Sequence, residues 1–246
     1  MGKTIIIASG KGGVGKSVVA ANLGAAFGLR GLSVALVDMN FGLRDLDLYL
    51  GLQDRVVFDV GDVLERMVPF EKALVRDKRF AELWLLAGAA RRGGDESERY
   101  TEVRIRELYG ALSERFDVVL VDGPAGVGRP LRLAATGADA AVIVTTPEHA
   151  ALRDADRASA LLAELGAARR FCLINRLDQA QMETGLFPDV DQITGVLKIP
   201  LLGLIQEEPA LRYAANQGEP LVLQRGNYVE RNFSRIADRL TDFLEV

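Results

Sequence analysis

The segment Gly10-Lys11-Gly12-Gly13-Val14-Gly15-Lys16-Ser17 constrains this chain more than any other. It fits the phosphate-loop pattern G-x-x-x-x-G-K-[ST], with a second lysine, Lys11, inside the loop. Such a loop needs a strand before it and a helix after it. Thr4-Ile5-Ile6-Ile7-Ala8 is a short β-branched run that reads as a buried strand, and Val18 to Leu29, rich in Ala and Leu, reads as a helix. Glycine lets backbone N–H groups turn inward around phosphate oxygens, and a helix N-terminus adds a favourable dipole. Gly10, Gly12, Gly13, Val14, Gly15, Lys16, Ser17 and Val18 are therefore the candidate phosphate-binding residues. Lys16 is expected to reach the β- and γ-phosphates, and the Ser17 hydroxyl to ligate Mg²⁺.

Strands and helices alternate along the rest of the chain. Leu32–Asp38, Leu83–Leu86, Phe116–Asp122, Ala140–Val144, Phe171–Ile174 and Leu201–Ile205 read as further strands, and Val57–Val68 and Tyr100–Arg115 as helices. Apolar strands between helices imply a mostly parallel, twisted sheet covered on both faces. Arg91 to Glu98 is the strongest loop signal. With no repeat and no composition break, residues 1–246 are expected to form one α/β P-loop domain. The single cysteine, Cys172, lies in the apolar run Phe171–Ile174, so it reads as a buried strand residue and excludes an internal disulfide. The single histidine, His149, excludes a histidine-cluster metal site and is expected on the surface at a helix N-terminus. A net charge of −4 does not indicate a nucleic-acid surface. No apolar run approaches the length of a membrane span, and the first strand begins at once, so neither a span nor a leader is expected.

Two of the strands end in an acid. Ligands of open α/β sheets bind outside the carboxyl ends of the strands, which puts Asp38 and Asp122 on the same edge as the phosphate loop. Asp122, after Val118-Val119-Leu120-Val121, is the expected Walker-B acid, holding Mg²⁺ through a water, and Asp38 is the second candidate at the metal.

Lys-Gly-Gly-Val-Gly-Lys at 11–16 resembles the deviant Walker A loop of the ParA/MinD ATPases. Val37 to Leu48 and the following Gly51 to Asp59 resemble the switch I region of the MinD branch, which selects the cell-division site. Asp122-Gly123-Pro124-Ala125-Gly126 is similar to its switch II, Pro147-Glu148 through Arg157 to its dimer and partner face, and Asn216-Gln217-Gly218-Glu219-Pro220 to a late signature. The resemblance runs from the first strand to the last helix. It implies ATP and Mg²⁺ as cofactors and a face-to-face homodimer driven by ATP. In that dimer Lys11 of one subunit reaches the phosphates of the other, like an arginine finger supplied in trans. It also implies that Asn175 and Arg176 hold adenine, with Pro209 beside the base, and that a regulator of the MinC/MinE kind is a partner.

Two departures from the family pattern bear on function. The position that usually carries a water-orienting aspartate is Asn40. An amide accepts no proton at neutral pH but still positions a water, so slow hydrolysis is expected, with Lys11, Lys16 and Asn40 as the catalytic set. The MinD branch normally ends in a short basic amphipathic helix that enters the membrane. Here Tyr228 to Val246 places Val229, Phe233, Ile236, Leu240 and Phe243 at helical spacing, opposite arginines mixed with acids. A membrane-surface helix would be enriched in cations. This segment is expected to be the last core helix, giving a cytoplasmic protein that is peripheral to a membrane only if an anchor lies beyond it. The alternatives are an ATP-binding dimeric adaptor with negligible turnover, a flagellar-number relative, which usually carries an extension before the loop, and a ParA-type DNA partitioner, which needs a basic patch.

Overall fold

The run of isoleucines that precedes the glycine loop lies within strand β1 (Lys3–Ser9), whose side chains alternate between two cores. Ile5 and Ile7 enter one, and Ile6 and Ala8 the other. The molecule is a computed structural model that describes residues 1–41, 43–89 and 96–245. The strong loop signal at Arg91 to Glu98 falls mostly outside the described residues; its last part lies in a 3₁₀ turn, Glu96–Arg99.

After β1 come α1 (Lys16–Leu29), β2 (Val34–Asp38), α2 (Leu46–Tyr49), α3 (Val60–Leu64), α4 (Phe70–Ala73), β3 (Leu74–Asp77), β4 (Leu83–Leu86) and α5 (Glu102–Arg115). The second half runs β5 (Val118–Ala125), α6 (Arg129–Ala134), β6 (Ala140–Thr145), α7 (His149–Glu164), β7 (Arg169–Leu177), α8 (Gln179–Glu183), α9 (Val190–Leu197), β8 (Leu201–Gln206), α10 (Pro209–Asn216) and α11 (Tyr228–Leu244). The eight strands form one sheet in the order β3-β4-β2-β5-β1-β6-β7-β8. All neighbours are parallel except the edge strand β3, which is antiparallel to β4. Residues of α1, α10 and α11 fill the core on one face, and those of α3, α5, α6, α7 and α9 the core on the other. Cys172 is buried in β7, and His149 is exposed at the first turn of α7, as expected.

The helix expected over Val57–Val68 is shorter, and its neighbour was not foreseen. Asp59 caps it by accepting from the Asp62 N–H at 3.0 Å, so α3 starts only at Val60. Arg66 takes a positive φ of 61°, and Pro69 disfavours helical geometry at Val68, so the helix stops early. The chain then forms β3, too short and too polar to announce itself.

The last helix is a core element. Val229, Phe233, Ile236, Ala237 and Leu240 of α11 are each 2% exposed or less. Arg239 and Asn232 donate to the Leu202 and Leu204 carbonyls of β8, covering the open edge of the sheet. Among the described residues no helix is long and apolar enough to cross a membrane. Phe233→Ala is expected to cost about 3–5 kcal/mol in urea unfolding. A loss under about 0.5 kcal/mol, the value for a surface position, would contradict this packing.

Candidate functional site

The glycine loop leaves the carboxyl end of β1, beside the point where the chain turns from filling one half of the sheet to filling the other. Gly13 and Gly15 adopt positive φ of 78° and 94°, and Gly15 caps α1. The loop is braced from three sides. The Ser9 hydroxyl donates to the Lys11 carbonyl at 2.7 Å, and the Gly126 N–H of the segment after β5 donates to the Ser9 carbonyl at 3.0 Å. A Cβ on Gly10 would come within 1.9 Å of the Asp154 carbonyl of α7. Asn175, at the end of β7, donates its amide Nδ2 to the Val14 carbonyl at 2.8 Å. That bond occupies the space a side chain at Gly15 would need, since a Cβ there would lie 2.5 Å from Nδ2. Gly12 and Gly13 stay exposed at the crown, and Ser17 and Val18 are half-buried at its base.

Behind the loop stand the two strand-end acids. Asp38 and Asp122 face each other across adjacent strands in register. Both are buried. The Asp38 oxygens accept from the backbone N–H of Asn40 at 2.9 Å and of Leu46 at 3.3 Å, which fixes both ends of the intervening segment. The Asp122 oxygens accept no hydrogen bond of normal geometry among the described residues. Burial pushes the Asp122 carboxyl above the usual carboxylate range, and the nearby Ser17 hydroxyl and Lys16 ammonium pull it back. Burial, and then Asp122, push Asp38 upward. Lys16 is itself lowered by burial, with Asp122 opposing. Two buried carboxylates in register, both pushed upward by burial, make a site short of positive charge. The described residues hold no cluster of three or more metal-ligating side chains. Mg²⁺ commonly takes only one or two protein ligands, completing its shell with water and substrate phosphates. The buried Asp122 beside Ser17 fits that cation.

Asn40 is half-buried. Its N–H is spent on Asp38, and its carbonyl accepts from Leu43 at 3.2 Å and Arg44 at 3.4 Å in a turn. Asn175 and Arg176 line a cleft with Gly15, Val18, Glu207, Leu211 and Arg212. Arg176 sits at a positive φ of 55° and approaches Glu207 at 3.8 Å, and Arg212 also pairs with Glu207. Pro209 opens α10 next to this cleft and is exposed. Lys11 stands apart from the other loop residues. It has a partner in its own chain, which the sequence did not suggest: its Nζ pairs with Glu148 Oε2 at 2.7 Å, and both side chains are more than 40% exposed. Glu148 precedes α7, 137 residues away, and only its position in the Pro147–Arg157 stretch singled it out.

Comparison with known proteins agrees with this geometry. Residues 1–241 match the ParA family model, described as NUBPL iron-transfer P-loop NTPase. The septum site-determining protein MinD of Bacillus subtilis is 39% identical over 241 residues, covering 98% of this chain and 89% of that protein. Among solved structures, MinD in the MinC:MinD cell division complex of Aquifex aeolicus superposes with a TM-score of 0.89 at 38% identity, covering 98% of this chain and 96% of that one. MinD from Pyrococcus horikoshii, complexed with Mg-ADP, gives a TM-score of 0.89 at 28% identity over 99% and 98% of the two chains. A braced glycine loop, a buried acid behind it and these likenesses over nearly the full length place the chain in the ParA/MinD family of P-loop ATPases.

Proposed function

We propose that this protein is a MinD-like ATPase that binds Mg·ATP, dimerises across its nucleotide face and takes part in selecting the cell-division site. The observation that carries the proposal is the phosphate loop backed by the buried Asp122 carboxylate, whose oxygens accept no hydrogen bond of normal geometry among the described residues while Ser17 and Lys16 stand nearby. In this reading Gly10 to Val18 wrap the phosphates, Lys16 meets the β/γ charge, and Asn175, Arg176 and Pro209 border the base. Ser17 and Asp122, with Asp38 nearby, would hold Mg²⁺, which when bound neutralises phosphate charge. The Mg-ADP in the Pyrococcus horikoshii relative supports the cofactor pair, and the Aquifex aeolicus complex supports a regulator of the MinC kind. The candidate surface for such a regulator is the exposed side of α7, from Glu148 through Arg153 and Arg157.

The iron-transfer description of the family model does not suit this chain. Its one cysteine is buried in β7, so even two copies could offer only two inaccessible thiols. A second reading, the ATP-bound adaptor that scarcely turns over, is favoured by Asn40. Steady-state ATPase activity measured beside particle size with ATP and with ADP separates the two. Turnover with an ATP-dependent dimer supports the enzyme, a long-lived ATP dimer without turnover supports the adaptor, and a monomer with both nucleotides contradicts both.

The Lys11–Glu148 pair suits a lysine that leaves its own chain. An exposed ion pair is worth about 1 kcal/mol or less, so a second copy's phosphates would outcompete Glu148 easily. Lys11→Ala is expected to bind ATP normally by calorimetry, remain monomeric with ATP in sedimentation, and show no turnover. A normal ATP dimer in this variant would refute the in-trans role.

A further inference from the structure

Two segments that resemble MinD, Gly51 to Asp59 and Asn216 to Pro220, lie outside the phosphate and metal contacts, yet the fold brings them into backbone contact. Gly51 and Gly218 both adopt positive φ, 62° and 69°. They touch so closely that a Cβ on Gly218 would lie 2.5 Å from the Gly51 Cα, and one on Gly51 would lie 2.9 Å from the Gly218 carbonyl oxygen. Neither position has room for a side chain.

One residue holds this contact shut. Arg79, in the turn between β3 and β4, donates through Nη2 to the Leu50 carbonyl at 2.6 Å and through Nη1 to the Gly218 carbonyl at 3.1 Å. Its Nε and Nη2 also engage the buried Asp77 carboxylate at 2.9 Å and 2.6 Å. Asp77 aims the guanidinium, leaving donors for two carbonyls from segments 168 residues apart in sequence (218 − 50). The turn itself is immobilised, because Phe80 packs into the space opposite Gly28 of α1. A planar fork serves three acceptors at once, which an ammonium on a flexible stem does not.

The position of this clamp gives it a consequence for the site. α2 begins at Leu46, whose N–H holds Asp38, and ends at the Leu50–Gly51 contact. α10 begins beside the base cleft, where Leu211 lines the wall, and ends just before Gly218. The two helices are in contact with each other. They are therefore two legs of one frame, with near ends at the nucleotide site and far ends joined by Arg79.

We propose that Arg79 is a positioning residue for the nucleotide site. By locking the far ends of α2 and α10, it makes the placement of the switch segment from Asp38 to Leu46 follow α10, and so follow occupancy of the base cleft. The inference rests on the Mg·ATP reading given above.

Hydrogen exchange on the full chain, with and without Mg·ATP, tests it alongside steady-state kinetics. In the unmodified protein, ATP is expected to slow exchange in the loop at 10–17, in α10 and over residues 46–51. In Arg79→Lys and Arg79→Ala the slowing in the loop and at the start of α10 persists, while that over 46–51 is lost. kcat falls about tenfold from misplacement of the switch, and KM for ATP stays within about twofold. Gly218→Ala, which wedges the same contact open from the other side, gives the same pattern and guards against a fault peculiar to Arg79. Retention of slowing over 46–51 in both Arg79 variants overturns the inference, as does a raised KM with unchanged kcat. Absence of any ATP-dependent slowing at 10–17 in the unmodified protein overturns the nucleotide reading itself, and this inference with it.

Discussion

Asn40→Asp is expected to raise ATP turnover at saturating Mg·ATP by roughly ten- to a thousand-fold, since positioned general-base groups contribute on the order of 10²–10⁴ and the amide retains part of the positioning. The backbone around Asn40 is already held, because its N–H donates to Asp38 and its carbonyl closes a turn with Leu43 and Arg44. A change of one side-chain atom therefore alters chemistry without moving the segment. Affinity for ATP should change little, and the lifetime of the ATP dimer should shorten as turnover rises. Turnover equal to the parent's in a variant that still dimerises would show that Asn40 does not limit hydrolysis, and would favour the adaptor.

The parts of this site that follow from local order were legible in the sequence. A glycine loop between an isoleucine strand and an alanine-rich helix admits few folds. Apolar runs that end in Asp38 and Asp122 place those acids on the loop's edge once the sheet is parallel. The stripe of Val229, Phe233, Ile236, Leu240 and Phe243 identified α11 as a core helix, because arginines and acids share its other face; the first four are buried as read, while Phe243, in the last turn, is 45% exposed. What stayed hidden is pairing through space. Nothing local tells that the Asn175 amide closes on the Val14 carbonyl 161 residues away, that Glu148 holds Lys11, or that Arg79 bridges Leu50 and Gly218. Each is a polar contact made by a residue whose own neighbourhood reads as a turn or a surface. Periodicity reports which face is buried, and it carries no information about which two faces meet. β3 was missed for a related reason: four residues at a sheet edge are stabilised by their partner β4 rather than by their own composition.

Lys16→Ala is expected to weaken Mg·ATP binding by roughly 30- to several-thousand-fold, the range for removing one member of a buried, hydrogen-bonded charge pair at about 2–5 kcal/mol. Lys16 is 8% exposed, and burial already disfavours its charged form. Among the described residues, Asp122 acts against burial to retain that charge. A phosphate entering the loop adds the negative charge that this buried cation lacks, so the interaction is strong because it is poorly solvated. Removing the ammonium also leaves Asp122 with the Ser17 hydroxyl as the nearby group that opposes its protonation. That carboxyl can take up a proton, so the fold itself should survive. Unfolding midpoints with and without ATP separate the two effects. The unliganded variant should melt close to the parent, while the ATP-induced rise shrinks or vanishes, because stabilisation by a ligand follows RT ln(1 + [L]/Kd). An unchanged affinity by calorimetry would mean that phosphate charge is met elsewhere, and the role assigned to the loop lysine would have to be withdrawn.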